Sequence, residues 1–488
     1  MKVLFVASEM APLIKTGGLA DVAGGLPAAL AALGVDVRVL IPAYHDLASP
    51  RKSWKPESRF SPPPGMADCR LHILPAKVLG VPVWLLDSPG FSDRPGNPYL
   101  DEGGRDWPDN AQRFNRLCRV AVRLAAGRAG LSWKPDVVHA NDWQAGLIPV
   151  WMLLERVPQP VLFTIHNLQY RGDFPPGILN ELGLPFWFHH ADALEFYGQT
   201  SLIKGGLVFA DALSTVSPTY AEEIQTPAWG EGLDGLLRHR RSVLHGVLNG
   251  IDTVLWDPAG DPHLPAHYDA DDLTGKAAIK RALQAEMGLT VQADIPLLGF
   301  IARLVPQKGI DLILDILPEL VRLPVQLAFL GSGMPELEAR LQQACAQLPG
   351  YVACRIGFDE RLAHRIEAGC DLFLMPSRFE PCGLNQLYSL RYGTPPIVHR
   401  CGGLADSVID TTPATLAAGT ATGFQFAPAT ASSLLDTVRR ALNYYKQKDQ
   451  WPKLVHAAMT QDFSWTNSAR LYHTIYQQLQ QRGPSNWR

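Results

Sequence analysis

The sequence MKVLFVASE at residues 1–9, followed by KTGGLADV at residues 15–22, decides the fold class. The first segment is a short apolar run that predicts a buried strand. The second places two glycines directly before a segment compatible with a helix. A strand, a tight turn and a helix in this order begin a βαβ unit, and Glu9 and Lys15 interrupt the apolar run too early for a secretory signal peptide.

The same alternation of strand and helix continues along the chain in two sets. Apolar, β-branched runs of the first set lie at 35–41, 81–86, 137–140, 161–165 and 212–216, and those of the second at 297–301, 325–330, 352–356, 372–375 and 396–398. Runs that are apolar on both faces predict parallel sheets covered by helices. The segment 249–273 between the two sets is rich in proline and aspartate and predicts a linker.

We therefore predict an α/β protein with two Rossmann-like, doubly wound domains, residues 1–250 and 251–460. Apolar residues at helical spacing predict a C-terminal helix within residues 461–488 that crosses back to the N-terminal domain. Because ligands bind at the carboxyl ends of parallel strands, we expect the two domains to face a common cleft that holds the functional loops.

The composition excludes several classes of function. The chain has 44 Lys and Arg against 47 Asp and Glu, and its net charge of −3 gives no general attraction for nucleic acid or an anionic membrane. No uninterrupted apolar run approaches the roughly 20 residues of a membrane-spanning helix. The seven cysteines form no C-x-x-C pair, so neither a disulfide framework nor a zinc site is indicated. We expect a soluble, cytoplasmic protein without nucleic-acid or membrane partners.

Common fingerprints of nucleotide and hydrolase chemistry are missing from the sequence. There is no G-x-x-x-x-G-K-[ST] segment, and GSGMPE at 331–336 lacks the third glycine of a dinucleotide fingerprint. Neither an H-E-x-x-H metal motif nor a G-x-S-x-G nucleophile elbow occurs. P-loop ATPases, ordinary dinucleotide oxidoreductases and these hydrolases are therefore disfavoured.

Three segments carry residues suited to phosphate chemistry. The glycine pair after Lys15 lets backbone N–H groups approach a phosphate, although a tight turn with an exposed lysine explains the segment equally well. Arg303 and Lys308 lie five residues apart after a predicted strand and could clamp a diphosphate, although taken alone such a pair is more often simply solvated. The carboxylate of Glu380 also follows a strand, and the amides at 383–384 could open the next helix toward phosphate.

Seven collinear motifs resemble the family of bacterial glycogen synthases and plant starch synthases. They are KTGGLADV at 15–22, HANDW at 139–143, TIHNLQYRG at 164–172, LNGID at 248–252, ARLVPQKG at 302–309, SRFEPCGLNQLY at 377–388 and GGLADSV at 402–408. The resemblance implies the GT-B fold and transfer of glucose from ADP-glucose to the non-reducing end of glycogen or another α-1,4-glucan. It further implies retention of the anomeric configuration, with no metal ion and no other cofactor.

The resemblance also assigns roles to individual residues. On the donor side it implies that Lys15, Gly18, Arg303, Lys308 and the Gly383 and Leu384 amides approach the diphosphate, and that Phe358 stacks on adenine. It places His166 at the catalytic centre and Glu380 against the donor glucose. The residues implied to line the sugar and acceptor pocket are Asp21, Tyr99, Asp142, Asn167 and Asn249. His139 and Trp143 are expected to support this scaffold, and Cys382 is not expected to react.

One position departs from a pattern common among related enzymes. Retaining GT-B transferases often carry a second glutamate eight residues after the first, whereas Tyr388 stands eight residues after Glu380. This weakens any assignment of a ribose contact. Without an evident carboxylate nucleophile, we favour same-face attack by the acceptor hydroxyl, with the leaving phosphate taking the proton. Two alternatives stay open: a transferase that uses UDP-glucose or a small acceptor, and a glucan-binding protein without activity.

Overall fold

The computed structural model describes residues 1–48 and 56–483, and it divides into two compact units. Unit 1 contains residues 1–250 together with the end of the chain from Trp465, and unit 2 contains Ile251–Ser464. Each unit is built around its own sheet, which is mainly parallel in unit 1 and parallel throughout in unit 2. The chain therefore returns to the first unit after completing the second.

Unit 1 contains an eight-stranded sheet with the strand order β11-β10-β6-β5-β1-β2-β4-β3. Its strands are β1 (Lys2–Val6), β2 (Asp36–Pro42), β3 (Arg70–Leu74), β4 (Val83–Asp87), β5 (Val137–Asn141), β6 (Val161–Ile165), β10 (Ala212–Thr215) and β11 (Leu244–Gly246). All neighbouring pairs are parallel except β3 with β4. The three remaining strands, β7 (Asp173–Phe174), β8 (Glu195–Phe196) and β9 (Gln199–Ser201), form a small separate sheet.

Helices cover the large sheet because its central strands are apolar on both faces. Every residue of β5 and β6 is buried, including the polar residues His139, Asn141 and Thr164. The helices of the first part of the chain are α1 (Gly18–Ala32), α2 (Ala76–Leu79), α3 (Asn110–Ala125), α4 (Ile148–Leu154), α5 (Ile178–Leu182), α6 (Leu202–Phe209), α7 (Pro218–Glu223) and α8 (Asp234–His239). The parallel order places the carboxyl ends of β1, β5, β6, β10 and β11 along one edge.

Unit 2 contains a six-stranded sheet, parallel throughout, with the order β14-β13-β12-β15-β16-β17. Its strands are β12 (Leu297–Ile301), β13 (Gln326–Gly331), β14 (Val352–Ile356), β15 (Leu372–Met375), β16 (Pro396–His399) and β17 (Phe424–Phe426). Its helices are α9 (Thr274–Glu286), α10 (Ile310–Leu320), α11 (Pro335–Gln347), α12 (Glu360–Gly369), α13 (Asn385–Arg391), α14 (Gly402–Ser407), α15 (Pro413–Ala417), α16 (Ala431–Tyr445) and α17 (Trp451–Met459).

Residues 251–273, the proline-rich segment before α9, contain no helix or strand. Their side chains nevertheless pack into unit 2. The Trp256 ring stacks between the rings of His364 and Tyr388, with centroids 3.8 and 3.7 Å away. Buried Asp261 accepts hydrogen bonds from His364 Nδ1 at 2.7 Å and from the Tyr392 hydroxyl at 2.6 Å. Hydrogen bonding to its charged form lowers the pKa of Asp261, although burial acts in the opposite direction. Aromatic and polar contacts thus hold a segment that has no backbone ladder of its own.

The last helix, α18 (Trp465–Arg482), packs on α1 within unit 1. Trp465 is buried so tightly against α1 that a Cβ on Gly25 would lie 2.0 Å from its indole nitrogen. Further along the helix, the Tyr476 hydroxyl lies 2.7 Å from Nδ1 of His139 on β5. His139 Nε2 lies 2.6 Å from Thr164 Oγ1 on the neighbouring strand, so this histidine joins core elements of the unit.

Candidate functional site

In unit 1, several of the predicted site residues directly follow the carboxyl ends of the sheet strands. Asp142 comes immediately after β5, His166 immediately after β6, and Asn249 three residues after β11. Glu9, which the sequence argument did not select, follows β1 in the same way. Because these strands are parallel and lie next to one another in the sheet or one strand apart, their side chains share one edge.

The His166 ring is held in one orientation by Asn141, the last residue of β5. The Asn141 side-chain amide donates to the Val6 carbonyl at 3.0 Å, which turns its Oδ1 toward His166. His166 Nε2 lies 2.9 Å from that oxygen and must therefore carry the proton it donates. Desolvation lowers the pKa of His166 to about 3, so the imidazole is neutral near pH 7 and its Nδ1 is an acceptor.

Asp142 occupies a conformation that is uncommon for a residue other than glycine, with φ of 55°. Its carboxylate Oδ1 accepts a hydrogen bond from the backbone N–H of His166 at 2.7 Å, which ties the ends of β5 and β6 together. Burial raises the pKa of Asp142 to about 7, and the nearby charge of Glu9 acts in the same direction. A group that titrates close to neutrality at a strand end is typical of a functional position.

The glycine-rich loop before α1 is organised by Glu9. Its Oε2 accepts hydrogen bonds from the backbone N–H of Thr16 at 2.5 Å and of Gly17 at 3.3 Å. The Glu9 carboxylate therefore binds the backbone N–H groups of the two residues that precede α1, which begins at Gly18. Lys15 is half exposed, and its ammonium donates to Asp21 Oδ1 at 2.7 Å. The structure thus brings three predicted residues, Lys15, Gly18 and Asp21, to one helix start.

Tyr99 reaches the same edge from the irregular segment between β4 and α3. Its hydroxyl lies 2.7 Å from Ser8 Oγ and 3.2 Å from Glu9 Oε1. Desolvation raises the pKa of Tyr99, with the charge of Glu9 as the next contribution, so the phenol remains protonated at neutral pH. Tyr99 therefore belongs to the cluster formed by Ser8 and Glu9.

Two amide side chains complete the unit 1 edge. Asn167 Oδ1 accepts the backbone N–H of Gln169 at 3.0 Å and so shapes the turn after β6. Asn249 is 6% exposed, and its Oδ1 has no hydrogen-bond partner in the described part of the chain. A buried carbonyl oxygen without a partner is costly, and it is suited to accept from a ligand hydroxyl.

In unit 2, Lys308 and Glu380 form an ion pair at the carboxyl ends of β12 and β15. Lys308 Nζ lies 2.5 Å from Glu380 Oε2, and the two side chains are only 18% and 8% exposed. The hydroxyl of Ser377 donates to the same carboxylate oxygen at 3.0 Å. The three residues line a small cavity of about 90 Å³ together with Gly383 and Leu384.

The turn at Gly383 requires glycine, which brings the backbone close to this cavity. Its φ is 73°, in the left-handed region, and a Cβ there would lie 2.3 Å from the side-chain oxygen of Gln386. Leu384 is the residue immediately before α13 and also lines the cavity. Lys308, Glu380, Gly383 and Leu384, predicted from two separate motifs, therefore meet at one place.

Arg303 and Phe358 lie outside the lining of this small cavity. Arg303 is exposed, and the side-chain hydrogen bond that its guanidinium makes within the described residues is a long one of 3.5 Å from Nη2 to Gln307 Oε1. Phe358 is 88% exposed and follows β14, two strands away from β12 in the sheet. Both residues follow strands at the same carboxyl edge, although no hydrogen bond or ion pair within the described residues joins either side chain to Lys308 or Glu380.

Comparisons with known proteins identify the family to which the chain belongs. Residues 2–239 match the family model for the starch synthase catalytic domain, and residues 295–443 match that for glycosyl transferases group 1. The chain is 54% identical over 480 residues to glycogen synthase 1 of Methylococcus capsulatus, covering 98% of this chain and 96% of the relative. It belongs to the glycogen and starch synthase family. The identity to the glycogen synthase of Cellvibrio japonicus is 52%, covering 98% and 99% of the two chains.

Solved structures give the same answer for the fold of this family member. The catalytic domain of starch synthase IV from Arabidopsis thaliana, bound to ADP and acarbose, matches with a TM-score of 0.86 and 33% identity, over 98% of this chain and 99% of that one. A sucrose-phosphate synthase from Thermosynechococcus elongatus, at 18% identity and a TM-score of 0.57, shares the fold over 98% of both chains. The predicted GT-B class with two Rossmann-like domains is confirmed.

Three polar residues of this synthase-family site escaped the sequence argument. They are Glu9, Asn141 and Ser377, which position the loop, the histidine ring and the Glu380 carboxylate. Asn141 ends a strand, and Glu9 and Ser377 lie within three residues after one, which was the one available signal. The partner of Asn141 lies 25 residues away, whereas those of Glu9 and Ser377 lie within eight residues but are reached only through the fold of a loop.

Within residues 1–48 and 56–483, no group of three or more His, Cys, Asp and Glu side chains is placed to hold a metal ion. Among the helices that the structure describes, none has the length and apolar character needed to cross a membrane. Cys382 is buried, 5% exposed.

Proposed function

We propose that this protein transfers glucose from ADP-glucose to the non-reducing end of an α-1,4-glucan such as glycogen, releasing ADP. The observation that carries this proposal is the buried Lys308–Glu380 pair beside the glycine turn that begins α13. A cation, a carboxylate and backbone amides at one point suit a sugar nucleotide, which presents phosphate and hydroxyl groups together. The relatives named glycogen synthase, and the starch synthase structure that holds ADP and acarbose, support the same donor and acceptor.

In this proposal the carboxyl edge of unit 2 holds the donor. Lys308 and Arg303 stabilise the negative charge that develops on the departing diphosphate, together with the amides of Gly383 and Leu384. Glu380 accepts from hydroxyl groups of the donor glucose. The exposed ring of Phe358 offers a face for adenine. Each of these residues follows a strand of unit 2 or lies at the start of α13.

The carboxyl edge of unit 1 contributes to the sugar and acceptor. Neutral His166, fixed by Asn141, can accept a hydrogen bond at Nδ1 without placing a cation beside an oxocarbenium-like centre. Asp142, Asn167 and Asn249 supply further acceptors for hydroxyl groups. Tyr99 supports the edge through Glu9, while Lys15 and Asp21 lie at the start of α1.

We further propose that the acceptor hydroxyl attacks from the face that ADP leaves, with a phosphate oxygen of the leaving group taking the proton. This step retains the anomeric configuration. Loss of ADP is assisted by charges that belong to the protein, so we propose that neither a metal ion nor another cofactor takes part. We also propose that the protein works in the cytoplasm and binds no nucleic acid.

The test is incorporation of labelled glucose into glycogen from ADP-glucose and, in parallel, from UDP-glucose, both with excess EDTA. Incorporation from ADP-glucose with equal stoichiometric release of ADP is the expected result. A preference for UDP-glucose would assign the protein to a different donor class. Binding to glycogen without ADP release would instead identify a glucan-binding protein without activity.

A further inference from the structure

A second, larger cavity lies at the opposite edge of the unit 2 sheet. Its volume is about 780 Å³, and its floor includes residues that directly precede strands, Pro296 before β12 and Asp371 before β15. The Lys308–Glu380 pair follows the carboxyl ends of these same two strands. The cavity is therefore separated from the candidate donor site by the length of the sheet.

The walls of this amino-edge cavity combine apolar and aromatic side chains. Helices α9, α16 and α17 all contribute to it. The rings of Tyr445 at the end of α16 and Trp451 at the start of α17 meet edge to face, with centroids 5.1 Å apart. A cavity of this size falls within the range of about 300–1,000 Å³ that is typical of small-molecule sites.

Basic side chains outnumber acidic ones in the lining. The cavity is lined by five basic residues and two acidic ones, namely Lys276, Lys280, Arg439, Lys446 and Lys448 against Asp294 and Asp371. Lys280 and Asp371 neutralise each other, since Nζ lies 2.7 Å from the carboxylate. Arg439 pairs with Asp436, which lies outside the lining, at 3.4 Å. The lining thus retains three cations and one acid, although the chain as a whole carries a net charge of −3.

The remaining cations divide between the floor and the rim. Lys276 donates to three uncharged acceptors, the carbonyls of Ala368 and Tyr392 at 2.8 and 3.0 Å and the Thr394 hydroxyl at 2.7 Å. Its positive charge is therefore held in place without a hydrogen-bonded carboxylate. At the rim, Lys446 and Lys448 are exposed and lie in the short turn that joins α16 to α17.

We propose that this cavity binds a phosphorylated small metabolite that carries a ring. The phosphate would lie at the rim, with Lys446 and Lys448 as partners and the positive end of the α17 dipole beside it. The ring would pack against Tyr445 and Trp451, whose faces suit a sugar or a base. This site is distinct from the donor site, and its existence does not depend on the proposed reaction.

The experiment is isothermal titration calorimetry of the full chain with glucose 6-phosphate and with AMP, using glucose and adenosine as uncharged controls. Two variants alter the cavity: the double variant Lys446→Ala/Lys448→Ala, and Ala277→Trp, which places a large ring at an exposed wall position on α9. Lys453→Ala is the matched control, because Lys453 is an exposed lysine of α17 that does not line the cavity. Lys308→Ala reports binding at the donor site instead.

We expect at least one phosphorylated probe to bind and its uncharged counterpart to bind more weakly. Both cavity variants should lose about tenfold or more in affinity for that probe. A tenfold loss corresponds to roughly 1.4 kcal/mol, as expected when charge-assisted contacts are removed. Lys453→Ala and Lys308→Ala should leave this binding unchanged. The proposal is overturned if neither probe binds at millimolar concentration. It is equally overturned if binding survives both cavity variants or disappears in Lys308→Ala, since the probe would then occupy another site.

Discussion

Replacing Lys308 with alanine tests the central pair of the proposed donor site. In the structure its ammonium lies 2.5 Å from Glu380 Oε2, and the two side chains are 18% and 8% exposed. Without the ammonium, Ser377 is the remaining described side chain that donates to this carboxylate. The variant therefore leaves a buried negative charge at the place where the diphosphate of the donor would bind.

Two magnitudes follow from this geometry. Loss of one preorganised charge that stabilises a leaving group costs about 10²–10³ in kcat, or roughly 3–4 kcal/mol. Loss of a charge-assisted hydrogen bond in a mostly buried pair should lower the free energy of unfolding by about 1.5–3 kcal/mol. The variant should remain folded, with a lower Tm and a much lower turnover.

The assay is release of ADP from ADP-glucose at saturating glycogen, with urea unfolding in parallel. Arg340→Ala is the matched control, since Arg340 and Asp315 form an ion pair of 3.0 Å in the same unit but are 48% and 52% exposed. That variant should keep its turnover and change stability by less than about 0.5 kcal/mol. Turnover of Lys308→Ala within about tenfold of the parent, corresponding to 1.4 kcal/mol, would refute the assignment.

Three further predictions address other parts of the structure. Burial raises the pKa of Asp142 to about 7, so we expect kcat/KM to fall as the pH drops below 7. Asp142→Asn should abolish this acidic decrease in kcat/KM. The same decrease in the variant would assign it to another group. Burial also raises the pKa of Glu367, whose carboxylate oxygens have no hydrogen-bond partner among the described residues. An acid whose pKa is raised in the folded state stabilises the fold at pH values below its ordinary pKa of 4.5, and it loses that contribution as the pH rises. Glu367→Gln should therefore increase Tm more at pH 8 than at pH 5. An equal change in Tm at the two pH values would contradict this reasoning. Finally, Trp465→Ala should cost about 3–5 kcal/mol in urea unfolding, because it empties the contact with Gly25 on α1; a loss below about 1 kcal/mol would show that α18 contributes little.

The site residues that could be predicted belong to local motifs. Lys308 and Glu380 each stand in a segment whose residue types suit phosphate and sugar, and the structure places them in contact. Glu9 could not be chosen in the same way, because its role consists of bonds to amides seven and eight residues away in a loop. The loop itself was expected to offer its amides to phosphate, whereas the structure shows two of them bound to Glu9.

The sequence alone predicted most strands of the two large sheets and their parallel arrangement, since apolar periodicity and glycine turns act over a few residues. It did not predict β3, which runs antiparallel to β4, or the edge strands β11 and β17. Tertiary structure decided which groups are charged and which are paired. His166 is neutral because its position desolvates the ring, and Asn141, 25 residues earlier, accepts the hydrogen bond that fixes the tautomer. The amino-edge cavity likewise brings together Lys276 and Trp451, which lie far apart in the chain. Burial and long-range contacts exist only once the sheets have formed, and local patterns do not contain them.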